Sequence, residues 1–186
     1  MPLTYIIQKS RRRSLSVTVT KDCKLLVKAP YGTTESYVRE FLISKKDWIQ
    51  KQLQRQEKEN RYVGELGIFT PEEIKKIKRE ARKIIPARVE YYAKLTGITY
   101  NRIALRLQKS RWGSCSAKGN LNFNCLLVLM PPEVLDSVVV HELVHRHHMN
   151  HSRAFFDEVI SIYPEYKKWD KWLKKNGGVF QARVGN

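Results

Sequence analysis

The chain opens on a two-residue alternation. Leu15, Val17 and Val19 fall on one side and Ser14, Ser16, Thr18 and Thr20 on the other, the pattern of a half-buried strand. Tyr5-Ile6-Ile7 before it and Leu25-Leu26-Val27 after it predict two more strands, with a turn at Lys21-Asp22 and a stop at Pro30-Tyr31-Gly32, so the first thirty residues read as a small antiparallel sheet. The period then lengthens. Val38, Phe41, Leu42, Trp48, Ile49 and Leu53 recur at helical spacing, which predicts one helix over residues 35–56. The polar, charged stretch that follows leads into a linker through Gly64 and Gly67.

A second helix carries its own start signal. Thr70 is an N-cap, Pro71 sits at the first helical position and Glu73 at the capping-box position; Ile74, Ile77, Ala81 and Ile84 continue the apolar stripe, with a kink expected near Pro86 and an end at Gly97. Residues 102–108 alternate, residues 109–120 are a polar loop, and residues 121–130 are an apolar run. Together they predict a hairpin with a long tip. Pro131-Pro132 ends it and opens a valine-rich helix from Glu133, apolar enough to be buried. A further helix is expected from Ser152 to Ile162, and a last one over residues 165–175, closed by Gly177-Gly178. The class is α+β: a β-sheet and helix subdomain over residues 1–60, then a helical and β-hairpin domain over residues 70–186.

Composition narrows this. Hydrophobic residues make up 42% of the 186, enough for a packed core without staples, and the three cysteines, Cys23, Cys115 and Cys125, are scattered and odd in number. Reduced thiols, no apolar run of membrane-spanning length and no signal-peptide pattern make a cytoplasmic protein the expectation. The net charge of +17 favours an anionic substrate, a nucleotide or nucleic acid as a contact of the basic surface, although charge alone selects none of them.

The chemistry is concentrated. All five histidines lie between His141 and His151, and His141-Glu142-Leu143-Val144-His145 is an H-E-x-x-H motif. Residues four apart on a helix share a face, so two imidazoles there can converge on one ion, and Glu142, one residue on, reaches a water on that ion. A third ligand must come from His147, His148, His151 or Glu158. His148 shares the face, but from His141 it lies about 10.5 Å along the axis, and His147 points off it. A turn after His148, with Asn150 suited to a left-handed backbone, brings His151 back; Glu158 is its main competitor. The expected cofactor is one zinc ion per chain on His141, His145 and His151. Three neutral ligands leave a coordination position open for a water whose proton Glu142 can take as general base.

Three further segments join the motif: residues 111–120, Arg111-Trp112-Gly113-Ser114-Cys115-Ser116-Ala117-Lys118-Gly119-Asn120; then Pro131-Pro132-Glu133; and Asn150-His151-Ser152. With the leading strands around residues 11–17 and Ala29-Pro30, and the helix through Lys45-Lys46-Asp47-Trp48-Ile49, the chain resembles the YgjP-like metallopeptidase-domain family, itself similar in plan to SprT-like and other H-E-x-x-H zincins. The resemblance covers most of the chain. It implies a zincin-like catalytic domain with metal on His141, His145 and His151 and Glu142 as base. Phe156 departs from it, standing where a Trp is expected.

The polar loop joins two strands that precede the metal helix, so it is expected to border the cleft. Arg106 and Arg111 are candidates to meet an anionic group, and Asn122 and Asn124, alternating on one strand face, to bind a peptide backbone. The leading reading is a zinc metallohydrolase of metallopeptidase type acting on a peptide. The alternatives are a metal-dependent nucleotide phosphohydrolase, and a basic nucleic-acid or partner-binding module with an inert metal site that uses Trp169 and Trp172 to stack bases.

Overall fold

The computed structural model describes residues 4–185. The backbone divides into two compact units, one ending at Leu66 and one beginning at Gly67. No helix among the described residues is long and apolar enough to cross a membrane.

In the first unit β1 (Tyr5–Ser10), β2 (Ser16–Val19) and β3 (Leu25–Pro30) form a sheet of order β1-β3-β2, followed by α1 (Glu35–Ser44) and α2 (Lys46–Leu66). Central β3 buries Leu25, Val27 and Ala29 in alternation, and Val38, Leu42 and Ile49 of the helices complete the core. The sheet is mixed, which corrects the expected antiparallel one. β2 and β3 form the hairpin, turning through Cys23 at φ 58, but β1 runs parallel to β3. The hairpin occupies one edge of β3, so β1 takes the other. Residues 11–15 then have to pass over the end of β3, about 10 Å or two interstrand spacings.

The single helix expected over residues 35–56 breaks at Lys45, where the backbone leaves helical geometry at φ −106, ψ 9. The segment read as a linker is helical instead, and α2 runs on to Leu66. Its polar side chains support each other at one-turn spacing: Arg55 with Glu59 at 2.9 Å and Gln56 with Asn60 at 3.0 Å. Asn60 also donates to the Lys21 carbonyl at 2.7 Å, tying α2 to the hairpin turn.

In the second unit α3 (Pro71–Thr96) starts on the predicted capping box. Glu73 N–H donates to Thr70 Oγ1 at 3.2 Å and Thr70 N–H to Glu73 Oε2 at 2.7 Å. The helix runs unbroken through Pro86 and ends on Gly97 at φ 73, a left-handed cap that only glycine adopts cheaply. β4 (Arg102–Arg106), β5 (Gly113–Cys115) and β6 (Asn120–Asn124) then form a sheet of order β4-β6-β5. The predicted hairpin is replaced here. β4 and β6 are parallel, and the hairpin partner of β6 is the short β5 cut from the polar loop. The apolar run leaves strand geometry after Asn124, whose side chain caps a 3-10 turn, Cys125–Leu129.

α4 (Pro132–Val144) carries the H-E-x-x-H motif. α5 (Arg153–Ile162) and α6 (Tyr166–Ala182) pack on it; α6 continues through Gly177-Gly178 rather than stopping there. Valine is a modest helix former, so α4 depends on tertiary burial. Val134, Leu135, Val138, Val139, Val140, Leu143 and Val144 are all buried. The one acid among them on the α3 side, Asp136, is paired in a fork with Arg88 of α3, both contacts 2.7 Å. That fork sets α4 against α3. Asp136→Ala would leave Arg88 without its acceptor and should lower the unfolding free energy by about 2 kcal/mol, read as a reduced urea midpoint with an unchanged slope.

Candidate metal centre

His141 and His145 lie one turn apart at the C-terminal end of α4. Their Nε2 atoms approach to 3.2 Å, and His151 brings its own Nε2 within 3.0 Å of that of His141. Ligand atoms of the three residues all lie within 4.8 Å of one another. The turn that returns His151 does not use a left-handed Asn150: among the described residues Cys23 is the one non-glycine at positive φ. Instead the Val144 carbonyl accepts the N–H of both His147 and His148 at 3.0 Å, and Ser152 caps α5 through the Phe155 N–H at 3.3 Å. Glu158, the rival third ligand, faces away from the triad toward His147 and His148.

The donor chemistry fits a divalent metal. The Nδ1 of His145 lies 2.8 Å from the His148 carbonyl, which can only accept, so Nδ1 carries the proton and Nε2 presents a lone pair. The Nδ1 of His141 meets the Tyr166 hydroxyl at 2.8 Å, so a proton there leaves its Nε2 bare as well. Lone pairs aimed at one another repel unless a cation lies among them. Ligand nitrogens of a tetrahedral ion with bonds of about 2.05 Å sit about 3.3 Å apart, close to the spacings found. Burial, then the neighbouring His145, His151 and Lys174, push His141 down to about 3, and burial lowers His145 too. Neutral imidazoles are what a metal requires.

Phe155, fully buried on α5, sits among the three rings with centroids 4.8, 4.6 and 5.0 Å from His141, His145 and His151. Phe156, the departure from the expected Trp, stacks on His151 at 6.0 Å. Arg146, just past the end of α4, donates to the carbonyls of Thr99, before β4, and Ala117, in the turn between β5 and β6.

Glu142 is 5% exposed, and its Oε2 has no hydrogen-bond partner among the described residues. Burial pushes its carboxyl up to about 8. It lies flat against Gly113 of β5: a Cβ there would stand 2.5 Å from Glu142 Oε1 and 2.6 Å from its Cγ. The glycine of the Arg-Trp-Gly-Ser-Cys segment is therefore the residue that lets strand and carboxylate touch. Trp112, beside it, packs on α6, where a Cβ at Gly177 would meet the indole at 2.7 Å. Trp112, Val138, Leu173, Tyr166 and Asp170 help wall a cavity of about 180 Å³ that opens beside His141 and Glu142.

The other sequence candidates are not gathered there. Asn124 is 1% exposed and wholly used on backbone, donating to the Gln108 and Arg111 carbonyls and accepting from Leu126 N–H, so it holds the loop and is out of a substrate's reach. Asn122 donates to Ser114 Oγ at 3.2 Å, and the exposed Arg106 and Arg111 are not among the cavity's lining residues. Trp169 and Trp172 pack against the core of this unit. Tyr166 and Phe155 were missed by sequence reasoning. Each occupies an ordinary apolar helix position, and nothing in its spacing separates it from core.

Two histidines at the end of a buried helix and a third beyond it, with a carboxylate one residue along from the first, form a candidate metal site. The model of the YgjP-like metallopeptidase domain matches residues 13–75 and 71–176, and the chain belongs to that family. Among solved structures it is similar to the zymogen of Pyrococcus abyssi abylysin, at 22% identity and TM-score 0.45 over 50% of this chain and 95% of that one. It is also similar to the zymogen of Methanocaldococcus jannaschii jannalysin, at 23% identity and TM-score 0.43 over 48% and 93%. No curated protein matches the chain.

Two outcomes follow from these contacts. Tyr166→Phe, which removes the hydroxyl at His141 Nδ1, should weaken metal binding about tenfold in a chelator competition. Gly113→Ala should destabilise the protein by about 1–3 kcal/mol in urea unfolding, because Glu142 or β5 must move to admit the methyl.

Proposed function

We propose that the chain is a zinc-dependent metallopeptidase in which His141, His145 and His151 hold one zinc ion and Glu142 is the general base. The observation that carries this reading is the convergence of three Nε2 atoms beside a buried carboxylate that has an unpartnered oxygen. Zinc, when bound there, supplies Lewis acidity to a water and to the carbonyl under attack. The chain's own groups do the rest. Glu142 takes the proton of the attacking water and returns it to the leaving amine nitrogen. Its apolar surroundings raise the Glu142 carboxyl, so it holds a proton more tightly than an exposed carboxylate does.

β5 is the terminal strand of its sheet. Trp112 C=O accepts from Asn124 N–H and Ser116 N–H donates to Asn120 O, so the intervening Gly113 and Cys115 turn their backbone groups to the open edge. An extended peptide added there by strand pairing runs past Glu142. The cavity lining favours a peptide over a phosphate ester: it includes the carboxylates of Glu142 and Asp170 and no Lys or Arg.

The test is a panel of internally quenched peptides with zinc-loaded protein. Glu142→Gln should cut turnover by about 10²–10⁴-fold while zinc stays at about one per chain. Undiminished cleavage in that variant would falsify Glu142 as base. Phosphate release from nucleoside triphosphates with no peptide cleavage would transfer the site to phosphohydrolase chemistry.

A further inference from the structure

We infer that Glu158 is a positioning residue for the metal centre, clamping the connector between α4 and α5 and so holding the backbone carbonyl that orients His145. The inference rests on the reading of His141, His145 and His151 as metal ligands. α4 ends at Val144, and His151 has to be brought back from beyond that end. The Val144 carbonyl secures the N–H groups of His147 and His148. Past them, no backbone hydrogen bond ties Met149, Asn150 or His151 among the described residues until Ser152 caps α5, and Met149 and Asn150 are exposed. Side chains therefore have to fix the connector.

One carboxylate does so from α5. Glu158 Oε1 lies 2.7 Å from His147 Nδ1 and its Oε2 2.9 Å from His148 Nε2. Both rings can donate as neutral tautomers, so the clamp requires no charge on either. With its ring held, His148 presents its own carbonyl to His145 Nδ1 at 2.8 Å, the contact that keeps the lone pair of His145 Nε2 pointed at the triad. Glu158 thus stands two hydrogen bonds behind a ligand, and with both oxygens engaged it is not a ligand itself. The His147 and Glu158 side chains are 52% and 26% exposed, where an ion pair adds little to global stability. What it contributes is a side-chain hold on His147 and His148, added to their backbone bonds to Val144, at the point where the chain enters the untied stretch from Met149 to His151.

The experiment titrates zinc into metal-free protein against a chromogenic chelator and records the melting temperature of the metal-free forms. Glu158→Ala should weaken zinc binding about tenfold or more while its metal-free melting temperature stays within about 3 °C of wild type. Glu158→Gln keeps one acceptor oxygen and should recover part of the affinity. Asp157→Ala, an exposed neighbour 3.6 Å from Arg153, should bind zinc as wild type does. His148→Ala removes the same contact from the other side, and carries the test if Glu158→Ala does not fold. Zinc affinity within about twofold of wild type in Glu158→Ala or His148→Ala overturns the clamp. So does a metal-free melting temperature that falls in step with affinity, which would make Glu158 a residue of the fold alone. A wild type that takes up no zinc overturns the clamp together with the metal-site reading, whereas a wild type that binds beside an unaffected variant overturns the clamp by itself.

Discussion

An α-helix can aim two side chains at one point when they are a turn apart, but a third from the same helix falls too far along the axis. The architecture around α4 follows from that limit. The helix carries His141, ends at Val144 and has His145 as its C-cap; the chain folds back over the Val144 carbonyl, and α5 begins at a Ser152 cap that leaves His151 beside its partners. Phe155 makes the arrangement cooperative, since one buried ring touches all three imidazoles and also belongs to the packing of α5. Geometry of the triad and docking of α5 cannot be varied separately.

The second demand on the site is a carboxylate kept out of water. Burying the Glu142 carboxyl costs free energy at one helix end. That cost is offset elsewhere on the same element, by the valines along α4 and by the Arg88–Asp136 fork to α3.

Local signals were legible in the sequence and non-local ones were not. Thr70, Pro71, Glu73 and Gly97 mark α3 because capping involves residues within one turn, and H-E-x-x-H puts His141 and His145 side by side for the same reason. Strand direction depends on which edge a strand occupies: the hairpin of β2 and β3 leaves β1 the far edge of β3, where it lies parallel, and β5, three residues long, was hidden inside a polar loop. Asn124 looked like a binding residue because it alternates with Asn122, yet the carbonyls it serves, Gln108 and Arg111, reach it only in the folded chain. His147 and His148 stood among the candidate third ligands, and their contact with Glu158 comes only from the folding of α5 against them.

Gly177 ties two things together that are remote in the chain. Two adjacent glycines weaken the helical preference of α6 in its second half, so those turns are held by what lies against them rather than by their own backbone. What lies against Gly177 is the indole of Trp112, which is also a wall of the cavity beside Glu142. Loosening of that wall and local opening of α6 around Gly177 are then linked, while the end of the helix has its own anchor in Arg183, which meets Gly67 and Phe69. Slow amide hydrogen exchange around Gly177 would report the closed state of the cleft, although those amides lie on a different element from the histidine cluster.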